Sequence, residues 1–309
     1  MRIAIFGAGA LGGYLGARLV EAGEEVALIA RGAHLSTIQQ RGLTISSQQG
    51  NYVAHPAVAT DKPSEVGNVD VVVVSVKAWQ VPAVPDAIAP MMGPETFVVP
   101  IQNGVEAPSQ LVEKLGEHAV IGGCIQIVAQ LLNPGAILHV TPAANMSIGE
   151  LNNSRSQRVD LFQQTLINAK INCSIPDNIH AAIWTKLLYI AATSGVGAIT
   201  RAPFGAWRTL PETRALAHDI MEEVFSIATA RGIPLPESVV STMMATADGF
   251  PAESTTSMQR DIMEGRPSEL EFINGSIVRL GKLAGVSTPA NDFVYHCLVL
   301  QESTARASL

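Results

Sequence analysis

The sequence predicts an α/β protein in which a doubly wound, largely parallel sheet is followed by an all-helical C-terminal domain. Three observations carry this. A short apolar run, Arg2 to Phe6, closes on the glycine-rich turn Gly7-Ala8-Gly9-Ala10-Leu11-Gly12. Val69 to Val76 reads VDVVVVSV, the β-branched run expected of a strand covered on both faces. After Pro176 the apolar spacing changes to that of helices.

The elements follow in order. After the glycine turn, an amphipathic stretch from Leu11 to Ala22 reads as a helix that Gly23 ends, and Glu25 to Ala30 reads as a second buried strand. Phe97 to Ile101 is a further strand, and Ala119 to Ile121 with its neighbours another, so the β-α-β rhythm indicates a doubly wound sheet. Asn133-Pro134-Gly135 is a strong turn. Beyond it come strand-like segments near 137–148, a helix near 155–169 and a last strand, Ile171 to Ile175. Helices are then expected at 177–195, 211–231, 236–247, 257–264, 268–284 and 289–302, several of them stopped by Gly232, Gly265 and Gly285. The domains are accordingly 1–176 and 177–309, in line with a length of 309 residues.

Composition narrows the classes. With 47% apolar and 15% charged residues the chain can build a large core, and a net charge of −7 argues against general affinity for nucleic acid or an acidic membrane surface. Cys124, Cys173 and Cys297 are odd in number and widely spaced, without metal spacing or a disulfide framework, which points to a reducing cytoplasm and no metal. Residues 3–17 are uncharged behind Arg2 and mimic a signal peptide, but five glycines interrupt them. Residues 119–149 lack Lys, Arg and Asp, yet the Asn133-Pro134-Gly135 turn splits them below the ~20 residues of a spanning helix. A soluble protein without membrane association is expected.

The turn Gly7 to Gly12 is a G-x-G-x-x-G between a strand and a helix, the Rossmann dinucleotide fingerprint. Gly7 permits the tight turn, Gly9 lets the backbone approach a pyrophosphate, and Gly12 allows close helix–strand packing. Ala8, Ala10 and Leu11 complete the phosphate loop, whose helix N-terminus offers free N–H groups. The competing reading is a glycine turn that only packs. An NAD enzyme ends its second strand on a carboxylate that accepts the ribose hydroxyls, whereas this strand ends Ala30-Arg31-Gly32. Arg31 can pair with a 2′-phosphate, so NADP is the expected cofactor; the alternative is a solvated surface arginine. Lys77 and Gln80 follow the third strand, and Asn103 follows the fourth, where strand ends border a ligand crevice. Either of the first two could equally be a loop residue.

In the helical domain, Trp184-Thr185-Lys186-Leu187-Leu188 sets a lysine among apolar neighbours, with Ile190 and Ser194 on the same face at i+4 and i+8. Such a lysine either snorkels to water or is held in a site. Ser268 and Glu271 form an S-x-x-E capping box, which predicts Glu269 in the first turn of a helix, where a negative charge is favourable in itself.

Taken together, these segments resemble the ketopantoate reductase (2-dehydropantoate 2-reductase) family over nearly the whole chain. The similarity runs through Gly7 to Gly12, Arg31, VSVKAWQ at 74–80, IQNGVE at 101–106, the Ala129-to-Gly135 turn and WTKLL at 184–188. SMQRDIMEGRPSELEFING at 257–275 is its most specific part. The resemblance implies NADPH-dependent reduction of a small-molecule 2-oxo acid, in the pantothenate pathway for the founding members, and the family's habit with an apolar helical domain points to a homodimer. It implies Lys186 as catalytic lysine, Ser257 as a substrate-contacting serine and Glu269 as the glutamate that contacts cofactor and substrate. Lys77, Asn103 and Ala129 fall on cofactor-contacting positions, and Asn103 also on the substrate side. The chain departs where family reductases carry asparagines four and eight residues after the lysine. Ile190 and Ser194 stand there, so the substrate's identity is open, with Ser194 kept as a substrate-contact position. The readings in competition are reduction of a different 2-oxo acid, a 3-hydroxyacid dehydrogenase of the same architecture, and a non-catalytic NADPH-binding sensor.

Overall fold

The computed structural model describes residues 1–307. The chain divides into two compact units, one made of 1–102 and 106–179, the other of 103–105 and the described residues from 180 onward.

The first unit opens with β1 (Arg2–Phe6), α1 (Ala10–Glu21) and β2 (Glu25–Ile29), followed by α2 (Gly32–Arg41), β3 (Leu43–Ser47), β4 (Tyr52–Ala54) and β5 (Val58–Thr60). Next come β6 (Val69–Val74), α3 (Val84–Ile88), β7 (Met92–Pro100) and α4 (Ala107–Leu115). Five strands make a parallel sheet in the order β5-β2-β1-β6-β7. Its strands read as continuous apolar runs because both faces are covered. Ile3, Ile5, Val71, Val73 and Val99 enter one core, while Ala4, Val72, Val74 and Val98 enter the other. The register sets Phe6 opposite both Ile29 and Val74, and Val74 opposite Pro100. The carboxyl ends of four strands are therefore level, and Gly7, Arg31, residues 75–80 and residues 101–102 leave the sheet at one edge.

The remaining elements of this unit are β8 (Ile121–Gln126), β9 (Ala129–Asn133), β10 (Ala136–His139), β11 (Asn145–Glu150), α5 (Gln157–Asn168) and β12 (Asn172–Ser174). They do not extend the parallel sheet as the β-α-β rhythm suggests. β8 pairs antiparallel with β11 in a separate sheet, β12-β11-β8, and meets β7 by a parallel bridge between Val98 and Val120. A third sheet, β4-β3-β10-β9, lies against α1. Arg18 of α1 is wholly buried there and donates to the Tyr14 hydroxyl (3.2 Å), Glu21 (2.7 Å) and Gln49 (2.9 Å), with its guanidinium 5.0 Å from the centre of the Tyr52 ring. An unpaired buried guanidinium would be costly, and this set of partners replaces its hydration.

The second unit is helical: α6 (Ile179–Thr200), which begins on the last residue of the first unit, α7 (Phe204–Thr209), α8 (Pro211–Ala230), α9 (Val239–Gly249), α10 (Ser257–Met263), α11 (Asn274–Ala284) and α12 (Pro289–Ala307). α7 has no counterpart among the sequence-predicted helices, since six residues are too few for a periodic signal. α6, which lies outside the apolar stretches 3–17 and 119–149, is long and apolar enough to cross a bilayer. Leu187, Leu188, Ala191, Ala192 and Val196 bury it instead in the core of this unit. The helix expected over 268–284 is broken: a 3-10 turn at Leu270–Phe272 precedes α11, with Ile273 non-helical between them. The capping box does not form. The Ser268 hydroxyl donates to Glu302 (2.6 Å) and accepts from the Leu270 N–H, while Glu271 pairs with Arg279 and accepts from the Tyr295 hydroxyl (2.7 Å). Glu269 thus precedes a 3-10 turn and does not sit in the first turn of a helix.

Candidate active site

In the first unit, the glycine turn has the shape that its three glycines predict. Gly7 sits at φ +104°, and a Cβ there would lie 2.8 Å from the Val76 backbone nitrogen. At Gly12 a Cβ would come within 2.1 Å of the Ser75 hydroxyl and 2.5 Å of the Gly7 carbonyl, so only glycine lets α1 approach this closely. Gly9 is different, because no atom lies within 4 Å of where its Cβ would be. The protein does not use that space for packing, which leaves the backbone open to a phosphate. The first turn of α1 carries no acidic residue and its N-cap supplies no side-chain bond, so its N–H groups and positive dipole end suit an anion.

Several bonds hold the turn in place. The Gly7 and Ala8 N–H groups donate to the Ile29 carbonyl, and Ser75 Oγ donates to the Gly7 carbonyl (2.7 Å). His34, which sequence reasoning did not single out, completes the set. Its Nδ1 accepts the Gly135 N–H (2.9 Å), so its proton resides on Nε2 and is donated to the Ala8 carbonyl (2.7 Å). A neutral histidine with one fixed tautomer therefore joins the turn to the loop between β9 and β10. The only signal in the sequence is a histidine two residues past Gly32, and that is no motif.

Arg31 is exposed just past β2 and in extended backbone, and its side chain makes no hydrogen bond or ion pair among the described residues. Lys77 lies with its ammonium 5.8 Å from the centre of the Trp79 ring, and its N–H donates to Gln80 Oε1 (3.2 Å). Gln80 thereby closes its own turn. Ala129 opens β9, half-buried and paired with His139. Gln102, passed over in favour of its neighbour, is buried and staples the strand ends by donating to the Val74 (2.9 Å) and Val76 (3.1 Å) carbonyls.

In the second unit, residues far apart in sequence meet. Asn103 Nδ2 donates to Glu269 Oε2 at 2.9 Å, and Glu269 is only 6% exposed. Gly104, at φ +96°, makes this possible, since a Cβ there would lie 2.6 Å from the Phe272 carbonyl. Lys186, 7% exposed, is buried and does not snorkel to water. Ser194 is buried and Ile190 half-buried on the same helix. Two later segments clasp α6. Asn274 Nδ2 donates to the Ala191 carbonyl (3.3 Å), and Gln259, packed against Gly197, donates to the Ala202 carbonyl (3.0 Å). Gln259 also completes a capping box with Thr256, which fixes the start of α10 and leaves Ser257 exposed in its first turn.

Comparison with known proteins agrees with this arrangement. The family described as "Ketopantoate reductase PanE/ApbA" matches residues 3–153, and "Ketopantoate reductase PanE/ApbA C terminal" matches 178–302. A 2-dehydropantoate 2-reductase from Mesorhizobium japonicum is 33% identical, with 95% of each chain covered. A PanE/ApbA family ketopantoate reductase structure from Ralstonia eutropha JMP134 superposes with a TM-score of 0.90 at 30% identity, covering 99% of this chain and 100% of that one. A D-mandelate dehydrogenase solved with NADH and anilino(oxo)acetate also reaches 0.90, at 25% identity and 99% coverage of both chains. With both family segments matched in order over most of its length, the chain belongs to the ketopantoate reductase family.

Proposed function

We propose that the protein is a cytoplasmic NADPH-dependent reductase of a 2-oxo acid, with 2-dehydropantoate (ketopantoate) to pantoate as its first candidate reaction. The observation that carries the reading is the burial of Lys186 and Glu269 within an apolar helical unit. Burying a lysine and a carboxylate costs stability, and a fold retains them where their charge or proton is used. Gly7, Ala8, Gly9, Ala10, Leu11 and Gly12 would hold the pyrophosphate, Arg31 the 2′-phosphate, and Lys77, Gln80, Asn103 and Ala129 the rest of the dinucleotide. The bound dinucleotide supplies the hydride. Lys186 Nζ then meets the substrate's carbonyl oxygen, stabilises the negative charge that hydride arrival leaves on it, and donates the proton that completes the hydroxyl. Asn103 holds Glu269 through one carboxylate oxygen, which leaves the other to orient a substrate hydroxyl or the lysine. Ser257 and Ser194 are the substrate-side hydroxyls, and the helical unit is the substrate domain of a homodimer.

Measuring NADPH consumption with a panel of 2-oxo acids tests the proposal; no turnover with any of them would overturn it. A second reading, in which the preferred 2-oxo acid has an apolar side chain, is favoured by Ile190 on the face that carries Lys186. The likeness to a dehydrogenase crystallised with anilino(oxo)acetate supports it.

A further inference from the structure

One cation of the second unit is unaccounted for by the proposed chemistry. Arg260, in α10, is half-buried, yet among the described residues no carboxylate accepts a hydrogen bond from it. Its Nη1 donates to the Thr255 carbonyl (2.8 Å) and to the Thr255 hydroxyl (3.0 Å). A guanidinium has five N–H bonds. Those on Nε and Nη2 have no partner among the described residues. The adjacent carboxylate, Asp261, is held by Arg266 Nε (3.0 Å) and Nη2 (2.8 Å). Burial and the positive charge of Arg266 together outweigh Asp261 and push the Arg260 pKa below the ordinary arginine value. The environment therefore disfavours the charge that Arg260 carries, and Asp261, itself held by Arg266, does not fully offset it.

Geometry says where such an anion would sit. A helical side chain leans toward the N-terminus of its helix and covers the preceding turn. The Thr255 bonds hold Arg260 in that direction, over the turn that begins with Ser257. Ser257 and Arg260 are three residues apart and so neighbours on one face, the first exposed, the second with donors to spare. The packing of Gln259 against Gly197 places this turn beside the α6 helix that carries Lys186 and Ser194.

We propose that Arg260 is a substrate-binding residue that, with the Ser257 hydroxyl, receives the carboxylate of the 2-oxo acid. The carboxylate accepts from Nε and Nη2 in the forked geometry that a guanidinium favours, and the reacting carbonyl is left to Lys186. The inference rests on the reading of the protein as a 2-oxo-acid reductase and adds the group that selects for the acid.

The test compares 3,3-dimethyl-2-oxobutanoate with its uncharged primary amide, on the full-length protein and on Arg260→Gln. The expected result is a KM for the acid raised by about 10- to 100-fold in the variant, with the amide's kinetics nearly unchanged. The preference for acid over amide then collapses. Arg260→Lys keeps the charge without the fork and should fall between the two. It also serves as the test variant if Arg260→Gln does not fold. Calorimetry of oxamate, with NADPH saturating, should show binding to the wild type that weakens in parallel. A merely structural tie to Thr255 would lower the melting temperature while leaving the acid-to-amide ratio intact, and that ratio overturns the proposal. A wild type that binds oxamate but reduces no 2-oxo acid would instead defeat the functional reading and leave Arg260 as a carboxylate site.

Discussion

At Lys186 burial and chemistry meet in one side chain. Its side chain is buried in the helical unit, and the use the proposed reaction has for it is to neutralise and protonate an oxyanion. Lys186→Ala should lower kcat at least about 100-fold, with NADPH affinity little changed. Fluorescence titration and steady-state rates separate the two, and wild-type turnover in the variant would falsify the assignment. Ile190 and Ser194 act on the same helix through what they lack. An asparagine carries two donors and an acceptor, isoleucine none, and serine one short hydroxyl. On the proposed reading, a pocket lined by them should hold the ketopantoate hydroxyl poorly, at a cost of about one to two decades in kcat/KM. The double substitution Ile190→Asn with Ser194→Asn should raise ketopantoate reduction relative to 3,3-dimethyl-2-oxobutanoate. An unchanged ratio would place the recognition of that hydroxyl elsewhere.

At the scale of elements, the proposed function puts the choice of cofactor where β2 ends. The strand delivers Arg31 to the same edge as the glycine turn, exposed and unengaged among the described residues, in the place where a carboxylate would mark NAD. Arg31→Ala should weaken NADPH binding by about 10- to 100-fold and leave NADH binding nearly unchanged, because only the 2′-phosphate loses a partner. Equal affinity of the unaltered protein for both cofactors would remove the basis for the assignment. The turn itself is held from outside its own sequence. Ile29 lies in β2, Ser75 follows β6 and His34 lies in α2, so three elements besides β1 and α1 set its shape.

Across the whole molecule, pH should act on stability through a group that takes no part in the proposed chemistry. His139 is buried against Tyr14, with ring centres 4.3 Å apart, its nitrogens bonded to Ser47 (2.9 Å) and Thr141 (3.0 Å). Burial, helped by the charge of Arg18, holds its pKa below the usual histidine value. The unfolded chain takes up this proton near pH 6.5 and the folded chain only at lower pH. Stability should therefore be full above about pH 6.5 and decline as pH falls from there to the depressed folded value. Urea unfolding between pH 8 and 5 reads this directly. His139→Asn should lower stability at pH 8 and flatten that part of the decline. A decline of unchanged steepness in the variant would assign the effect to other groups.

What was legible in the sequence was what local rules control. The glycine spacing is read from φ, close approach and an open backbone face. The burial of Val71 to Val74 on both faces of the sheet is read from a continuous apolar run. The positions of Lys186, Glu269 and Ser257 were legible through resemblance, since each sits in a distinctive segment. What the sequence could not reveal depends on contacts between distant residues. Nothing near Ser268 and Glu271 says that Glu302, Arg279 and Tyr295 will claim their side chains, so the expected capping box gives way to a 3-10 turn. The bond from Asn103 to Glu269 spans 166 residues, and His34 reaches Gly135 across 101. The sequence by itself determined the element types, the dinucleotide turn and the chemical inventory, because these follow from backbone sterics and hydrophobic period. Only the tertiary structure decided which polar groups pair and which, like the outer N–H groups of Arg260, have no partner among the described residues, because a buried polar group is satisfied by whichever group folding brings within hydrogen-bond reach.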